Sequence, residues 1–164
     1  ILCKEGFRVG VAKHVHQRGF TIDVKGKDSW RFAKAGAKTI AIVSPNELAV
    51  IKKGDFCQTL ENILNLFNRQ DFDIVFLEGF HTFVAKRRDI YKIITAKNRE
   101  ELDSILKDVV GPILAVTGRV VEDLAPSNLN VPEASVINLN LDRDGQTLLS
   151  LIKEKLKIKG ESSF

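Results

Sequence analysis

The sequence predicts an α/β fold in which a mostly parallel sheet is flanked by helices. Strand-like and helix-like segments alternate over most of the 164 residues, as in sheets whose strands are joined by crossover helices. The segment 72–79 is apolar without interruption from Ile74 to Leu77, which is typical of a strand covered on both faces. The length fits one domain that spans residues 1–164.

The predicted strands are short apolar segments bounded by turn residues. In the first of them, Val9 and Val11 share one face, and the small residues Gly10 and Ala12 share the other. A Pro-Asn turn at 45–46 separates two strand-like segments that we expect to form a hairpin. The predicted strands are 7–13, 38–44, 47–53, 72–79, 89–96, 113–118 and 135–141.

The predicted helices begin at capping residues and carry apolar side chains at helical spacing. Residues 29–36 form a short helix that Asp28 or Ser29 caps and Gly36 ends. Three longer helices follow, and their predicted caps are Asp55, Asn98 and Asp144. The helix after Asp55 is expected to reach about residue 68, because its apolar stripe continues that far. The first residues of the chain resemble the end of a further helix.

The composition argues against two classes of partner. The formal net charge is +4 and the Lys and Arg residues are scattered, so we expect no nucleic-acid surface. No apolar stretch approaches the ~18 residues that a membrane span needs. Cys3 and Cys57 lie far apart and form no CxxC motif, which indicates a reducing compartment and a cytoplasmic protein.

Polar or glycine residues directly follow three of the predicted strands. In an open parallel sheet, ligands bind beyond the carboxyl ends of the strands, so these residues are the candidates for a site. They are Lys13, His14 and His16 after the first strand, Glu78 and Gly79 after strand 72–77, and Thr117, Gly118 and Arg119 after strand 113–116.

Glu78 has two interpretations. A carboxylate in such a crevice can hold Mg²⁺, which in turn holds phosphate oxygens, and Gly79 leaves room for a phosphate to approach. Alternatively, Glu78 is a strand-end residue that simply reaches solvent.

The other polar candidates are also open to more than one interpretation. His14 and His16 lie two residues apart, so an extended backbone places both on one side, where zinc or nickel could use them. Two ligands alone do not make a metal site, and a solvated pair of loop residues explains the two histidines as well. Helix capping alone is sufficient to explain Asp28.

The segments "RVGVAKHVHQ", "GKDSWRFAKAGA" and "DIVFLEGFH", taken together, resemble the MobB family of molybdopterin-guanine dinucleotide biosynthesis proteins B. In that family, a strand ends in a Lys-His-x-His segment, and a loop with a Gly-x-Asp-Ser element leads into a short helix. A later apolar strand closes on Glu-Gly followed by Phe or Tyr. The resemblance in motifs covers roughly residues 6–80, and the rest of the chain matches only in its alternation of strands and helices.

The resemblance implies a three-layer, P-loop NTPase-like fold and a Mg²⁺-dependent GTP-binding protein, usually a dimer. Such proteins assist the enzyme that attaches GMP to molybdopterin. Any GTP hydrolysis is expected to be slow, because no arginine finger or positioned glutamine is evident.

The resemblance also assigns roles to the candidate residues. Glu78 corresponds by position to the acidic group near Mg²⁺. Thr117 and Arg119 are candidates for contact with the base, or else form an ordinary turn after their strand. The residues expected to face the phosphates or the pterin are Lys13, His14, His16, Asp28, Ser29 and Gly79.

One family feature does not occur in the sequence. A phosphate loop of the type G-x-x-x-x-G-K-[ST] should lie well before Phe7, and its N–H groups and lysine form the cradle for the phosphates. Two explanations are open: the chain is N-terminally truncated, without the central strand and this loop, or its lineage has lost nucleotide binding. A break that falls within a helix favours truncation.

Two other functions are considered beside the one that the resemblance implies. The pair His14 and His16 would suit a nickel- or zinc-delivery GTPase, which shares the broader fold. The missing phosphate loop would suit a nucleotide-free interaction module that works through a sheet edge or a dimer interface.

Overall fold

The computed structural model describes residues 1–54, 59–68, 70–122, 135–137 and 142–160. Five helices and seven strands occur in this part of the chain. The helices are α1 Asp28–Lys34, α2 Leu60–Leu64, α3 His81–Val84, α4 Arg99–Asp108 and α5 Asp142–Gly160. The strands are β1 Val9–Lys13, β2 Thr39–Val43, β3 Leu48–Lys52, β4 Ile74–Glu78, β5 Lys92–Thr95, β6 Ile113–Thr117 and β7 Ser135–Val136.

The strands form three separate pieces of sheet. β1 pairs with β4 in parallel, β2 pairs with β3 as an antiparallel hairpin, and β5, β6 and β7 form a parallel three-stranded sheet in that order. Two of the three pieces are therefore parallel and the elements alternate, so the predicted α/β fold is confirmed. The predicted hairpin is confirmed as well.

The two parallel pieces share one apolar core beneath α5. Its buried members include Leu2 and Leu114, together with Leu149 and Ile152 on α5, and the side chains of Phe76 and other residues of β1 and β4 pack against it. Burial of a leucine or isoleucine contributes about 1.5–3 kcal/mol, so this cluster holds β1 and β4 beside β6 without ladder hydrogen bonds.

Strand β6 has one more residue than the stretch of β5 that it pairs with. Lys92 pairs with Ile113, but the next residue, Ile93, pairs with Ala115, so Leu114 is the extra residue. The extra residue changes which face the following side chains occupy. Leu114 joins the core beneath α5, whereas Val116 belongs to a second core.

The second core lies between the β5–β6 pair and α4. Leu102 of α4 is completely buried there, against Ile94 of β5 and Val116 of β6. Asn98 caps α4 as predicted: its side chain accepts a hydrogen bond of 2.9 Å from the Glu101 backbone N–H. The carboxylate of Glu101 in turn accepts one of 2.7 Å from the Lys97 backbone N–H, which completes a capping box.

Strand β1 combines a glycine with close packing from the segment after α2. A Cβ at Gly10 would lie 2.8 Å from the ring of Phe67, so the small side of the strand is the one that this phenylalanine covers. The prediction that Gly10 and Ala12 form a small face therefore has a packing reason.

The cap predicted for α1 is wrong. The helix begins at Asp28, and Lys27 occupies the capping position without a side-chain hydrogen bond. Ser29 instead donates its hydroxyl to Asp23 at 2.7 Å, because the preceding loop folds back over the start of the helix. Gly36 does follow the helix end, with a φ of 104°.

Three other boundaries differ from the sequence prediction. Helix α2 begins at Leu60, where Thr59 accepts a hydrogen bond from the Asn62 N–H, and the predicted cap Asp55 lies outside the described residues. Helix α5 begins at Asp142, two residues before the predicted cap Asp144. The predicted strand 135–141 is described only as β7, because 138–141 lie outside the described residues. The helix end expected at the N-terminus is a 3-10 turn over Leu2–Glu5, closed by Gly6.

A charged network lies at the start of β5. The ammonium group of Lys92 donates to the backbone carbonyls of Arg87, Ile90 and Val110, and the residue is 7 % exposed. Arg87 beside it binds Asp89 at 2.7 Å and Glu61 at 2.8 Å, which ties α2 to the loop before β5.

Within the described residues, no helix has both the length and the apolar character required to cross a membrane.

Candidate functional site

The carboxyl ends of β1 and β4 meet at one edge of their sheet. Their register places Lys13 directly beside Glu78, and the two side chains form an ion pair of 2.9 Å. Both side chains are about two-thirds exposed, at 67 % for Lys13 and 61 % for Glu78. The carboxylate that ends the apolar strand therefore lies at the solvent-facing edge of the sheet, where ligands of parallel sheets bind.

A close backbone contact joins the two segments that follow these strands. The His14 N–H donates to the Glu78 carbonyl at 2.8 Å, which extends the pairing by one residue. Gly79 comes next, with a φ of 80° that favours glycine. A Cβ at Gly79 would lie 2.7 Å from the His14 carbonyl oxygen, so a side chain there would push the two segments apart.

Aromatic side chains lie beside this contact. The ring of His14 packs against Phe80 at 5.4 Å and Phe83 at 5.3 Å between ring centroids, and Phe80 is 4 % exposed. His16 meets His14 edge-on at 4.3 Å, and His81 at the start of α3 lies 5.6 Å from His16. An apolar base thus carries three imidazoles next to the Lys13–Glu78 pair.

The donor set fits a hard cation that brings its own ligands. A single exposed carboxylate is the usual protein contribution to a Mg²⁺ ion that keeps waters and binds substrate phosphates. In the parts of the chain that the structure describes, no group of three His, Cys, Asp or Glu side chains could hold a metal ion by itself. Lys13 supplies a positive charge at the same place, which suits an anionic ligand.

The sequence profile of the family described as molybdopterin guanine dinucleotide synthesis protein B, MobB, matches residues 1–116. This match covers more than half of the chain and includes both strands of the site. The chain belongs to the MobB family.

Relatives of the chain carry related names. A molybdopterin-guanine dinucleotide biosynthesis adapter protein of Haemophilus influenzae is 31 % identical over 109 residues, which cover 66 % of this chain and 57 % of that protein. A putative adapter protein of the same name from Methanocaldococcus jannaschii is 26 % identical over 157 residues, which cover 96 % of this chain and 64 % of the relative. The chain thus spans between half and two thirds of the length of these two curated relatives.

The fold agrees with this membership. A crystal structure of a molybdopterin-guanine biosynthesis protein B superposes with a TM-score of 0.62 at 25 % identity, covering 95 % of this chain and 84 % of that one. The structure of Bacillus subtilis MobB has a TM-score of 0.67 at 20 % identity, covering 92 % of this chain and 83 % of that one. The P-loop NTPase-like, α/β character expected from the resemblance is confirmed by these MobB structures.

Two of the residues expected at the MobB site lie at the start of α1. Asp28 is exposed and pairs with Arg31 at 3.6 Å, and the hydroxyl of Ser29 is held by Asp23. Both residues border an open cleft of about 320 Å³ beside β2, which Phe32 also lines. Their described side-chain contacts are thus with α1 itself and with the preceding loop, and not with the Lys13–Glu78 pair.

The two candidates for contact with a base follow β6, in the other parallel piece of sheet. Thr117 is 2 % exposed and ends the strand, whereas Arg119 is exposed and starts a 3-10 turn over Arg119–Glu122. Gly118 between them packs tightly on Ala96 and has a φ of 96°, so the turn after β6 is backbone-constrained. The expected site residues therefore fall into three groups, of which the strand-end group is the most compact.

Sequence reasoning missed two kinds of residue in this region. His81 and its aromatic neighbours lie on α3, a helix of four residues that is too short to show an apolar period. The "GFHTF" segment, with a histidine between two phenylalanines after the Glu-Gly turn, was the available signal. Asp23, which orients Ser29, lies in a polar loop without a detectable pattern.

Proposed function

We propose that this chain is a GTP-binding adapter in the synthesis of molybdopterin guanine dinucleotide, where it assists the enzyme that transfers GMP. The observation that carries the proposal is the exposed Glu78 carboxylate beside Lys13 at the mouth of the β1–β4 sheet, in a chain of the MobB family. The names of the relatives from Haemophilus influenzae and Methanocaldococcus jannaschii support a role in the biosynthesis of molybdopterin guanine dinucleotide. Because the chain spans only part of these relatives, the activity of the whole protein is part of the proposal.

Each residue of the strand-end group has a role in this proposal. Glu78 would hold Mg²⁺, and the ion supplies the positive charge that binds phosphate oxygens. Lys13 would turn from Glu78 to a phosphate, because a carboxylate engaged by the ion attracts it less. Gly79 keeps the approach free of a side chain, and His14 and His16 would face the phosphates or the pterin.

The remaining candidates have more distant roles. Asp28 and Ser29 would contact the phosphates or the pterin from the start of α1. Thr117 and Arg119 would contact the base from the turn after β6. GTP hydrolysis would be slow at most, since the adapter role needs a held nucleotide rather than turnover.

Binding of GTP with and without Mg²⁺ tests the nucleotide part. We expect the Mg²⁺-dependent gain in GTP affinity to fall about tenfold in Glu78→Gln, which corresponds to about 1.4 kcal/mol. Glu100→Gln, at an exposed position in the first turn of α4, is the matched control, because it removes the same charge far along the chain from the strand ends. The titrations are made on this chain and on the chain joined to the glycine-rich loop that the resemblance predicts. If neither form bound GTP, the nucleotide part of the proposal would be wrong.

The adapter part predicts an effect on a partner enzyme. The chain should associate with the GMP-transferring enzyme more strongly in the presence of GTP and Mg²⁺ than in their absence. Equal association in both conditions would favour a nucleotide-free interaction module instead.

We place the protein in the cytoplasm, a reducing compartment that suits the free and exposed Cys3.

We further propose that the chain forms a homodimer through the outer face of the hairpin. On this face Ala41 pairs with Val50, and Val43 pairs with Leu48. The exposed fraction is 50 % for Val50, 75 % for Val43 and 67 % for Leu48. A two-stranded hairpin is only marginally stable unless one face is covered, so a second copy of the same apolar face would stabilise it.

Light scattering coupled to gel filtration tests the dimer. We expect a dimer for the wild-type chain and for Asn46→Asp, which adds a charge in the exposed hairpin turn. Val43→Asp adds the same charge to the apolar face and should shift the chain to the monomer. A monomeric wild-type chain would contradict the homodimer.

A further inference from the structure

The loop between β1 and α1 exposes large apolar side chains to solvent. Phe20, Ile22 and Val24 lie in this loop, and their exposed fractions are 52 %, 71 % and 60 %. We propose that these three side chains, the loop ridge (Phe20, Ile22 and Val24), form the surface through which the chain docks on a partner protein whose own surface is apolar at its centre and acidic at its rim. The inference rests on the proposed function in one respect, that this partner is the enzyme that transfers GMP.

Polar residues of the same loop hold it against the rest of the protein. The hydroxyl oxygen of Thr21 accepts hydrogen bonds from the ammonium group of Lys53 at 3.2 Å and from the Asp23 N–H at 3.1 Å. The carboxylate of Asp23 accepts hydrogen bonds from the Ser29 hydroxyl at 2.7 Å and from the Val24 N–H at 2.9 Å. These bonds tie the loop to the end of β3 and to the start of α1.

The apolar residues of the loop alternate with these bonded polar residues. The polar side chains bond to the protein and the apolar ones face solvent, which is the reverse of the usual arrangement in a folded chain. A group of large exposed apolar side chains commonly marks a surface for interaction with another protein. Because the loop is already held in place in the free chain, a partner that covers the ridge orders few additional groups.

The charges beside the ridge indicate the rim of the partner surface. Residues 17–27 contain three basic residues, Arg18, Lys25 and Lys27, and all three are exposed. The one acidic residue of this segment is Asp23, whose carboxylate is engaged by hydrogen bonds within the protein. An apolar centre with a charged rim is the usual anatomy of a protein interface, and a basic rim favours an acidic one on the partner.

The same features disfavour a lipid surface and a second copy of the chain. Segments that bind at a membrane surface are enriched in Trp and Tyr, and residues 14–27 contain neither. A symmetric contact between two ridges would bring the basic residues of one copy close to those of the other, and like charges repel. A protein with acidic residues around an apolar surface meets neither objection.

The position of the ridge in the chain suits an adapter. The strand-end residues Lys13 and His14 precede the loop, and Asp28 and Ser29 directly follow it. All four are among the residues proposed to face the ligand. A partner that binds the ridge would thus be held on the segment that connects these two groups.

The affinity of the purified GMP-transferring enzyme for variants of the chain tests the apolar part. Ile22→Ser removes the most exposed side chain of the ridge, and we expect the affinity measured with GTP and Mg²⁺ present to fall about tenfold or more. Leu66→Ser is the matched control, because Leu66 follows α2 and is 64 % exposed. This control should bind as the wild type does, and unchanged thermal melting of both variants shows that they fold.

A charge reversal tests the acidic rim. Lys25→Glu should weaken the association with the same enzyme about tenfold at low ionic strength, and the difference from the wild type should shrink as salt is added. Lys107→Glu, an exposed change in the last turn of α4, is the control and should have no such effect. Wild-type affinity of Lys25→Glu at low salt would contradict the acidic rim.

The outcomes separate this inference from the proposed function. If the enzyme binds the wild type and Ile22→Ser equally, the adapter role holds and the loop ridge is not the docking surface. If the enzyme does not bind the wild-type chain, the adapter role fails, and the inference fails with it.

Two further measurements test the other occupants of the ridge. Light scattering should give the same oligomeric state for Ile22→Ser as for the wild-type chain, and a shift to a smaller species would assign the ridge to a second copy. Vesicles that contain anionic lipid should bind neither form. Binding of the wild type that Ile22→Ser abolishes would assign the ridge to a membrane and overturn the inference.

Discussion

Two lysines of this chain form opposite kinds of charged contact. Lys92, at the start of β5, is 7 % exposed and donates to three backbone carbonyls, so each of its N–H groups has a partner within the protein. Lys13, at the end of β1, is two-thirds exposed and pairs with Glu78, which is exposed to a similar degree. Burial lowers the pKa of Lys92, which marks the cost of keeping that charge inside.

The difference between the two lysines teaches which charges stabilise the fold and which are available to a ligand. The Lys92 network joins the loop before β5 to the loop after α4, and a ligand would have to break it to use it. The Lys13–Glu78 pair is an exposed contact of the kind that contributes at most about 1 kcal/mol, so a bound ion or phosphate can replace it at small cost. The site of the proposed function thus lies where the charged pair is exposed, at the ends of β1 and β4, whereas the charged network at the start of β5 stabilises the fold.

Replacement of Lys92 should have the largest effect. Lys92→Met keeps most of the apolar side chain but leaves three partly buried carbonyls without this donor, which should lower the free energy of unfolding by about 3 kcal/mol. Urea unfolding measures this. Lys107→Met, an exposed change in the last turn of α4, should stay within about 0.5 kcal/mol of the wild type. If the free energy of unfolding fell by the same small amount in both variants, the hydrogen bonds of Lys92 would not stabilise the fold.

A smaller loss is expected at Gly79. An alanine there has an unfavourable φ of 80° and a Cβ 2.7 Å from the His14 carbonyl, so we expect a loss of about 2–3 kcal/mol. Gly26 is the matched control, because its φ is 90° but no atom lies within 4 Å of its ideal Cβ. Gly26→Ala should therefore cost only about 1 kcal/mol. Equal losses in urea unfolding would mean that the contact between the two strand-end segments is loose.

The smallest effect concerns acid stability. Hydrogen bonds from Arg87 hold the pKa of Asp89 at about 2, below its ordinary value of 3.8. A carboxyl with a depressed folded-state pKa stabilises the fold above its ordinary value, and this contribution is lost as the pH falls from about 4 to about 2. In Asp89→Asn, urea midpoints should fall less steeply across this interval than in the wild-type chain. An unchanged acid slope in this variant would show that the pair with Arg87 does not contribute.

Much of the fold followed from local patterns in the sequence. The apolar run Ile74 to Leu77, the Pro-Asn turn and the Asn98 cap each depend on residues that are close in the chain, and the structure has the strand, the hairpin and the capped helix there. The predicted cap of α1 failed because the partner of Ser29 is Asp23, which a loop brings back from six residues away. The local propensities of the residues in the helix do not predict such a contact.

The candidate site was predictable to the extent that strand order was predictable. Because β1 and β4 are parallel neighbours, residues that each follow a strand end meet, and Lys13 and Glu78 do so. His81 was not predictable in this way, since its place depends on a turn at Gly79 and on a helix of one turn. The positions of Asp28 and Ser29 beside the hairpin depend on the path of a long loop, which no periodic pattern describes.

The extra residue in β6 allows one short strand to contribute side chains to two cores. Leu114 faces the core beneath α5, whereas Ile113 before it and Val116 after it both pack in the core against α4. Without Leu114, residues 113, 115 and 116 would pair regularly with residues 92 to 94, so the core against α4 would keep its side chains while the core beneath α5 would lose a leucine. A deletion at this point therefore weakens one core, whereas the exposed hairpin turn at 44–47 contributes to neither core and can take an insertion, so a tag or probe belongs in the turn.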